Sequence, residues 1–353
     1  MKTLYLAKEP DAGVRNDLSR ISGEVVIVDC LNAYGDYYRK RGYNCISKDD
    51  FFRGVDMEFD VIVGNPPYQD GSKDTSYNQL WAEFFVQSFS MLKPDGVQIL
   101  IHPATWATPK DVGRKNLTNT VTEIIRNHAH FINYLECGKH FRGVGSTFSL
   151  TKVTKQPNNG SCKVVTPEES FEVSKPSEFV DNVLSKDNSK IAISIVNKIR
   201  SHSMLNPHNK DKSLVGDIVS VKDDSHIYRV QYAATTEKWS NVKHPLQDAK
   251  KILFANQTSK NYPVYDAGIS APCNRGAIFM VSSDKEGENI VETMKTTVMN
   301  FFFSRLRFHH GLLNTAVINC IPNLNYDKVW SDEELAIEFG LTTEELLYIR
   351  TIV

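Results

Sequence analysis

Short apolar runs alternate with amphipathic segments along the first 155 residues. The runs at 3–9, 24–29, 61–63 and 97–101 are typical of buried strands. Between them the apolar positions have helical spacing, most clearly over 78–92, where they form one core-facing side. This order predicts an α/β domain over residues 1–155, built on a mostly parallel sheet.

The pattern changes after a polar, turn-rich stretch at 155–161, which we interpret as a linker. Beyond it an amphipathic helix is predicted at 189–202, and short strands recur among polar and basic segments. A second predicted helix, 288–307, ends in a cationic, aromatic tract. We therefore expect a second domain over residues 162–353, of mixed α+β type.

Composition restricts the classes of protein that need consideration. The formal net charge is −1, so the chain has no global positive field and any nucleic-acid surface must be local. There is no apolar run of about 20 residues and no signal peptide, which argues against a membrane span. The six cysteines are scattered, which argues against a disulfide framework or a structural zinc site and favours a reducing cytoplasm.

The stretch with the most specific chemistry follows the strand at 61–63. Gly64 ends that strand, and Asn65-Pro66-Pro67-Tyr68 follows as a loop that the two prolines make stiff. Open α/β sheets bind ligands at the carboxyl ends of their strands. Asn65 Oδ1 and the Pro66 carbonyl can both accept from an amino group on a planar ring, and Tyr68 offers a stacking face. The alternative interpretation is a proline-rich turn with a buried tyrosine.

This strand and loop resemble the catalytic motif of the N6-adenine DNA methyltransferases. The resemblance covers about residues 3–155 and implies a Rossmann-like domain that binds S-adenosyl-L-methionine. The domain order is similar to type II restriction-modification methyltransferases, in which a target-recognition domain follows. It implies a site-specific enzyme that flips an adenine out of double-stranded DNA, with a restriction endonuclease as an expected partner. Its catalytic residues are expected to be Asn65, Pro66, Pro67 and Tyr68.

Two positions before this loop suit a nucleotide-like ligand. A glycine turn at Gly13 follows the first strand, where a helix amino terminus can expose backbone N–H groups. Asp29 ends the second strand and can accept from both ribose hydroxyls of an adenosine; the alternative is an aspartate that caps a helix. In related enzymes the glycine turn cradles the cofactor, but Arg15 stands where a second glycine is common. Those enzymes also carry a cofactor-binding segment ahead of the first strand, where this sequence has only a few residues.

The same resemblance implies further cofactor contacts. The family has an Asp-Phe pair after the third strand, which Asp50 and Phe51 match, although Asp49 is an alternative for the acid. The full set of expected cofactor-binding residues is Glu9, Pro10, Ala12, Gly13, Asp29, Asp50, Phe51 and Asn65.

Substrate contacts are expected in both domains. The family's hairpin near residues 140–153 places a second aromatic against the flipped base, and Phe148 is the candidate here, with plain core packing as the alternative. His102 could also face the substrate. In the second domain, Arg275, Arg305 and Arg307 are the candidate DNA contacts, because arginine binds phosphate and base edges. The two histidines at 309–310 lack a third ligand at metal spacing, so no metal site is expected.

Other functions remain open from the sequence alone. A protein-glutamine methyltransferase would share the same loop, because an amide amino group poses the same chemical problem. An rRNA guanine-N2 methyltransferase would use a close relative of it. From another class, the chain could be a DNA-binding specificity module without activity. No constellation of carboxylates and lysine indicates a nuclease.

Overall fold

A parallel sheet organises the first of two compact units. The computed structural model describes residues 1–10, 18–69, 79–108, 117–141, 147–208, 213–233, 236–255, 262–272, 276–307 and 318–353. Contacts between Cα atoms divide these residues into one unit that ends at Val183 and another that begins at Leu184.

Within the described ranges, the sheet of the first unit has nine strands. In chain order they are β1 (Lys2–Ala7), β2 (Glu24–Asp29), β3 (Asn44–Ser47), β4 (Phe59–Gly64), β5 (Leu92–Pro103), β6 (Ala129–Tyr134), β7 (Phe148–Thr154), β8 (Cys162–Val165) and β9 (Ser170–Val173). Their spatial order is β3-β2-β1-β4-β5-β7-β6-β8-β9. Strands β1 to β5 pair in parallel, whereas β7 runs antiparallel to both β5 and β6. The carboxyl ends of β1 to β5 therefore lie at one edge of the sheet.

Burial explains why these strands have continuous apolar sequences. Residues 3–7 of β1 and 26–29 of β2 are buried throughout, as expected for central strands of a parallel sheet with both faces covered. The described residues of this unit include the α-helices α1 (Gly35–Arg39), α2 (Lys48–Arg53), α3 (Leu80–Ser90), α4 (Leu117–His128) and α5 (Pro176–Val180). Helix α3 buries Leu80, Trp81, Phe84 and Phe85, which confirms the predicted core face. The α/β, Rossmann-like prediction is confirmed.

The stretch at 155–161 is a fixed turn inside the first unit. The Asn158 side chain is buried, and its amide donates to the Ala129 carbonyl over 2.7 Å while its oxygen accepts from Gly160 N–H over 2.9 Å. Strands β8 and β9 follow and extend the same sheet. The sequence-based boundary therefore falls within this unit, because a sheet crossover and a domain linker share the same polar turn residues.

The second unit combines helices with two small antiparallel sheets. One sheet has the order β10 (Ile218–Val219), β12 (Thr236–Ser240), β11 (Tyr228–Ala233), and the other β14 (Val264–Ala267), β13 (Lys250–Ala255), β15 (Gly276–Met280). Its described residues include the helices α6 (Lys190–Arg200), α7 (Asp284–Met294), α8 (Thr297–Arg305), α9 (Asp332–Glu338) and α10 (Thr343–Ile352). The predicted α+β character is confirmed. None of the helices in the described ranges is long and apolar enough to cross a bilayer.

The predicted helix at 288–307 is two helices, α7 and α8. The Thr296 side chain accepts from the Met299 N–H at the start of α8, which is the geometry of an N-cap. Because a threonine such as Thr296 does not interrupt the helical spacing of apolar residues, the sequence pattern did not indicate that the helix breaks there. The core of the unit includes Ile252 and Phe279 from the second sheet together with Phe302 from α8.

Candidate active site

The loop after β4 is held against the neighbouring strand. Gly64 pairs with Leu6 of β1, and a Cβ atom at Gly64 would lie 2.5 Å from the Leu6 carbonyl oxygen. Only glycine allows this close approach of the two backbones. Asn65 therefore begins the loop at a fixed position beside the carboxyl end of β1.

Within the loop, two polar side chains contact each other. The Tyr68 hydroxyl donates to Asn65 Oδ1 over 2.6 Å. Burial raises the pKa of Tyr68 to about 12, so the hydroxyl is protonated at neutral pH and acts as the donor. Asn65 is half-buried, and its carbonyl oxygen has a second lone pair available to accept from a ligand. Pro66 and Pro67 are buried.

An aromatic cluster lies next to Tyr68. The centroids of the Tyr68 and Phe148 rings are 5.2 Å apart with planes tilted by 44°, and Phe148 also stacks on Phe141 at 4.4 Å. A flat base between two parallel rings would need a separation of about 7 Å, twice the usual contact distance. The two candidate stacking residues, Tyr68 and Phe148, are therefore neighbours. Their rings contact each other and are too close for a base to lie between them.

His102 lies in the core instead of at a ligand surface. It is fully buried near the end of β5 and stacks on Trp81, with centroids 5.4 Å apart. Its Nδ1 lies 3.1 Å from the Pro103 carbonyl oxygen and its Nε2 lies 3.0 Å from Thr151 Oγ1. Burial lowers the pKa of His102 to about 4, so the ring is neutral at physiological pH.

Asp29 ends β2 as predicted and organises the backbone that follows it. Its carboxylate accepts from the N–H of Leu31 over 3.3 Å and from that of Tyr34 over 2.6 Å. A carboxylate has about four lone-pair positions, so these two bonds leave acceptor capacity for a ligand. Both uses of the side chain that the sequence suggested, the structural one and the ligand-binding one, are compatible with this geometry.

Asn32 is a residue that the sequence analysis did not single out. It adopts the left-handed conformation, with φ at 55°, and its Oδ1 accepts from the Lys48 N–H over 2.7 Å. This bond ties the loop after β2 to the start of α2. The sequence signal that could have identified Asn32 is its position between Asp29 and a tyrosine-rich helix, because asparagine tolerates left-handed turns better than most residues.

A pocket of about 390 Å³ opens at the ends of β2 and β3. It is polar and contains three carboxylates and one guanidinium. Its lining residues are Asp29, Asn32, Ala33, Gly35, Asp36, Arg39, Ile46, Ser47 and Asp49.

Of the two acids considered for the cofactor adenine, Asp49 lines this pocket and Asp50 does not. Asp50 instead accepts from the Ser47 hydroxyl over 2.6 Å and pairs with Arg53 at 3.2 Å. Phe51 is fully buried and stacks on Phe84, with ring planes 24° apart. This geometry favours Asp49 over Asp50 as a ligand contact and gives Phe51 a packing role.

The remaining predicted contacts lie either just after β1 or outside the described residues. Glu9 is exposed and Pro10 half-buried just beyond the end of β1. Ala12, Gly13 and Arg15 lie outside the described residues, as does Arg275 of the second unit. Across the ranges given above, no group of three or more histidine, cysteine or acidic side chains could hold a metal ion.

Arg305 is a buried structural residue. Its side chain is only 4% exposed, and Nε donates to Asp187 Oδ2 over 2.9 Å. Its guanidinium also lies 4.3 Å from the centroid of the Phe301 ring. This arrangement argues against the predicted phosphate contact by Arg305. Arg307, two residues further on, is half-buried.

The sheet, with an acid at the end of β2 and a loop after β4, forms a domain of Rossmann-like type. Residues 24–140 match the family model of the Eco57I restriction-modification methylase. The predicted resemblance is thereby confirmed for this segment, which contains Asp29 and the loop 65–68. The match does not include Phe148 or the second unit.

Several solved structures are similar to parts of this chain at low identity. The methyltransferase subunit of a type I restriction-modification system from Streptococcus thermophilus is 14% identical, with a TM-score of 0.35; the alignment covers 51% of this chain and 46% of that one. A methyltransferase from Pyrococcus furiosus is 18% identical over 44% of this chain and 74% of its own, with a TM-score of 0.28. The N-methyltransferase NodS from Bradyrhizobium japonicum is 14% identical over 44% and 85%, with a TM-score of 0.29. The chain thus spans less than half of the Streptococcus subunit. None of the curated proteins compared with the chain matches it.

Proposed function

We propose that this protein is a site-specific DNA methyltransferase that modifies N6 of adenine. The observation that carries the proposal is the loop that follows the carboxyl end of β4, the end at which open α/β sheets bind ligands, because this loop contains Asn65 and Pro66. Two carbonyl acceptors at this place match the two hydrogens of an exocyclic amino group. The family match over residues 24–140 supports the restriction-modification setting.

The chemical problem is that the N6 lone pair of adenine is delocalised into its ring. Acceptors placed on the two N–H bonds favour a tetrahedral nitrogen, which has a lone pair ready to attack. Such acceptors bind more strongly as positive charge develops on nitrogen, so they accelerate the chemical step and not only binding. Asn65 and Pro66 perform this task in the proposed mechanism.

S-adenosyl-L-methionine is the proposed cofactor, and it supplies a methyl group on a sulfonium centre. Asp29 fits the cofactor ribose, because its carboxylate lies at the strand end and retains acceptor positions. Asp49 is the acid that we assign to the adenine amino group, since it lines the same pocket. With the cofactor bound, the amino nitrogen held by Asn65 and Pro66 would form a bond to the methyl carbon as the carbon–sulfur bond breaks and its electron pair stays on sulfur, and the nitrogen would then lose one proton to solvent.

The target adenine must leave the DNA stack before it reaches Asn65. Extrusion costs a few kcal/mol, which contacts in the pocket must offset. Tyr68 supplies a stacking face, and its ring must move from Phe148 if the base is to enter between them. We assign recognition of double-stranded DNA to the second unit, and a restriction endonuclease is the expected partner in the cell.

Methylome sequencing of cells that express the protein tests this function. We expect N6-methyladenine at one recurring DNA sequence, with no such mark in cells that carry an empty vector. Methylation of ribosomal guanine or of protein glutamine, without any mark on DNA, would replace the proposal with one of those activities. Absence of all three products, together with DNA binding by the purified protein, would indicate a specificity module without activity.

A further inference from the structure

The side-chain amide of Asn32 has a fixed orientation in the pocket at the ends of β2 and β3. Its Oδ1 accepts from the Lys48 N–H over 2.7 Å, and its backbone N–H donates to the Asp29 carbonyl over 3.1 Å. A backbone N–H can only donate, so the side-chain atom that faces Lys48 is the oxygen. The amide nitrogen Nδ2, which carries two N–H donors, is therefore left for another partner.

The other polar side chains of the pocket either accept hydrogen bonds or donate to a neighbouring acid. Three carboxylates line the pocket, and an ionised carboxylate only accepts. Arg39 donates to Asp36 over 2.8 Å, and the Ser47 hydroxyl donates to Asp50 over 2.6 Å. The Asn32 amide is thus the one neutral side-chain donor of this pocket that has no partner among the described residues.

Adenosine needs both kinds of hydrogen-bonding partner. Its amino group and its ribose hydroxyls donate, and carboxylates such as Asp49 and Asp29 suit them. Its ring nitrogens N1, N3 and N7 only accept, so a carboxylate cannot satisfy them. An acceptor that loses water without gaining a donor weakens binding. A pocket that selects adenine therefore needs a donor as well as its acids.

We propose that Asn32 is a specificity-determining contact to the cofactor, in which Nδ2 donates to one ring nitrogen of adenine. The inference rests on the proposed function, to which it adds a donor beside the two assigned acids. Asn32 is exposed, so a ligand can reach it. Its left-handed backbone, with φ at 55°, and its bond to Lys48 hold the amide in place before binding. A side chain that is already ordered loses less rotamer freedom when the ligand binds.

The Asn32→Asp variant separates the donor from the structural bond. Aspartate keeps an oxygen for the Lys48 N–H and replaces the amide donor with an acceptor. Calorimetry measures the affinity for S-adenosyl-L-homocysteine and for its 1-deaza, 3-deaza and 7-deaza analogues, each of which replaces one ring nitrogen with C–H. We expect the parent to bind one analogue about fivefold more weakly than the natural compound, the net effect of one hydrogen bond. This preference should disappear in Asn32→Asp, whereas the affinity ratios for the other two analogues should stay parental.

Two more variants control for charge and for folding. Asn32→Gly adds no charge and tolerates the left-handed backbone, so it should lose the same preference. Asn44→Asp is the matched control, because Asn44 is an exposed asparagine of β3 that does not line the pocket. It should keep all three parental ratios. Thermal melting of Asn32→Asp should match the parent, since the bond to Lys48 is retained.

The outcomes distinguish this inference from the proposed function. Parental ratios for all three analogues in both Asn32 variants overturn the inference, even if the parent methylates adenine. Loss of one preference in both variants supports the contact, even if the parent leaves DNA unmethylated and the proposed function fails. A parent that does not bind S-adenosyl-L-homocysteine, or that binds all three analogues as tightly as the natural compound, also overturns the inference.

Discussion

The catalytic loop and the Arg305 region use polar groups in opposite ways. Asn65 is half-buried and its Oδ1 accepts from the Tyr68 hydroxyl, so this oxygen keeps a second lone pair that can accept from a ligand. Arg305 is buried, and Asp187, Ser304 and the Phe301 ring surround its guanidinium. Both regions stand out in the sequence, one as a motif and the other as a cationic tract. The difference shows that a cationic tract in the sequence can contain a buried structural ion pair, whereas the loop at the strand end leaves a polar acceptor partly exposed.

The largest expected effect on stability is for Arg305→Gln. The change removes one partner of a buried ion pair and leaves Asp187 with an unneutralised charge. We expect the free energy of unfolding to fall by about 3–5 kcal/mol. Urea denaturation of the variant and the parent measures this loss. If the free energy of unfolding is unchanged and only DNA binding weakens, Arg305 is a ligand-binding residue. The contrast between the two regions is then wrong.

A second prediction concerns His102 and the pH dependence of stability. The pKa of His102 is about 4 in the folded protein, against about 6.5 for an unperturbed histidine. Between these values the unfolded chain binds the extra proton, so stability falls as the pH is lowered from 6.5 to 4. The full effect is about 3 kcal/mol. In His102→Gln, the free energy of unfolding should lose this part of its dependence on pH. If it falls between pH 6.5 and pH 4 as steeply as in the parent, the prediction is wrong.

Asp29→Ala should weaken binding of S-adenosyl-L-methionine by roughly 1–3 kcal/mol, because charge-assisted hydrogen bonds are lost. Calorimetry measures the affinity. Circular dichroism checks that loss of the Asp29 hydrogen bonds to the loop after β2 has not unfolded the domain. Unchanged affinity would leave Asp29 with only its structural bonds to Leu31 and Tyr34.

A paired comparison then distinguishes the two neighbouring acids. We expect Asp49→Ala to weaken cofactor binding more than Asp50→Ala, since Asp49 lines the pocket whereas Asp50 pairs with Arg53. The reverse order would restore the assignment of Asp50 that the family pattern suggested.

The smallest effect is expected for Tyr68→Phe. Tyr68→Phe keeps the ring and removes only the donor to Asn65, so it should stay largely active. Tyr68→Ala should lose stacking on the base, worth about 1–3 kcal/mol. Fluorescence of 2-aminopurine at the target position reports extrusion of the base in each variant. Equal fluorescence for Tyr68→Ala and the parent would show that this ring does not hold the base.

The sequence predicted the strands that end in Asp29 and Gly64 because continuous β-branched runs and prolines act locally. It did not predict that 155–161 is a turn within the sheet, since the buried contacts of Asn158 join residues that are distant along the chain. The burial of Arg305 depends in the same way on Asp187, more than a hundred residues earlier. Asn32 gained a candidate role, and Asp49 became favoured over Asp50, only from the pocket at the strand ends.

The most direct test of the central claim is single-turnover methyl transfer by Asn65→Ala. The matched control is Asn159→Ala, which removes an exposed asparagine of the same unit. We predict that Asn65→Ala slows formation of N6-methyladenine by roughly 10²–10³-fold, because an acceptor for developing charge is lost. Its DNA affinity should remain that of the parent, and Asn159→Ala should keep the parental rate. A parental rate for Asn65→Ala would contradict the proposed mechanism.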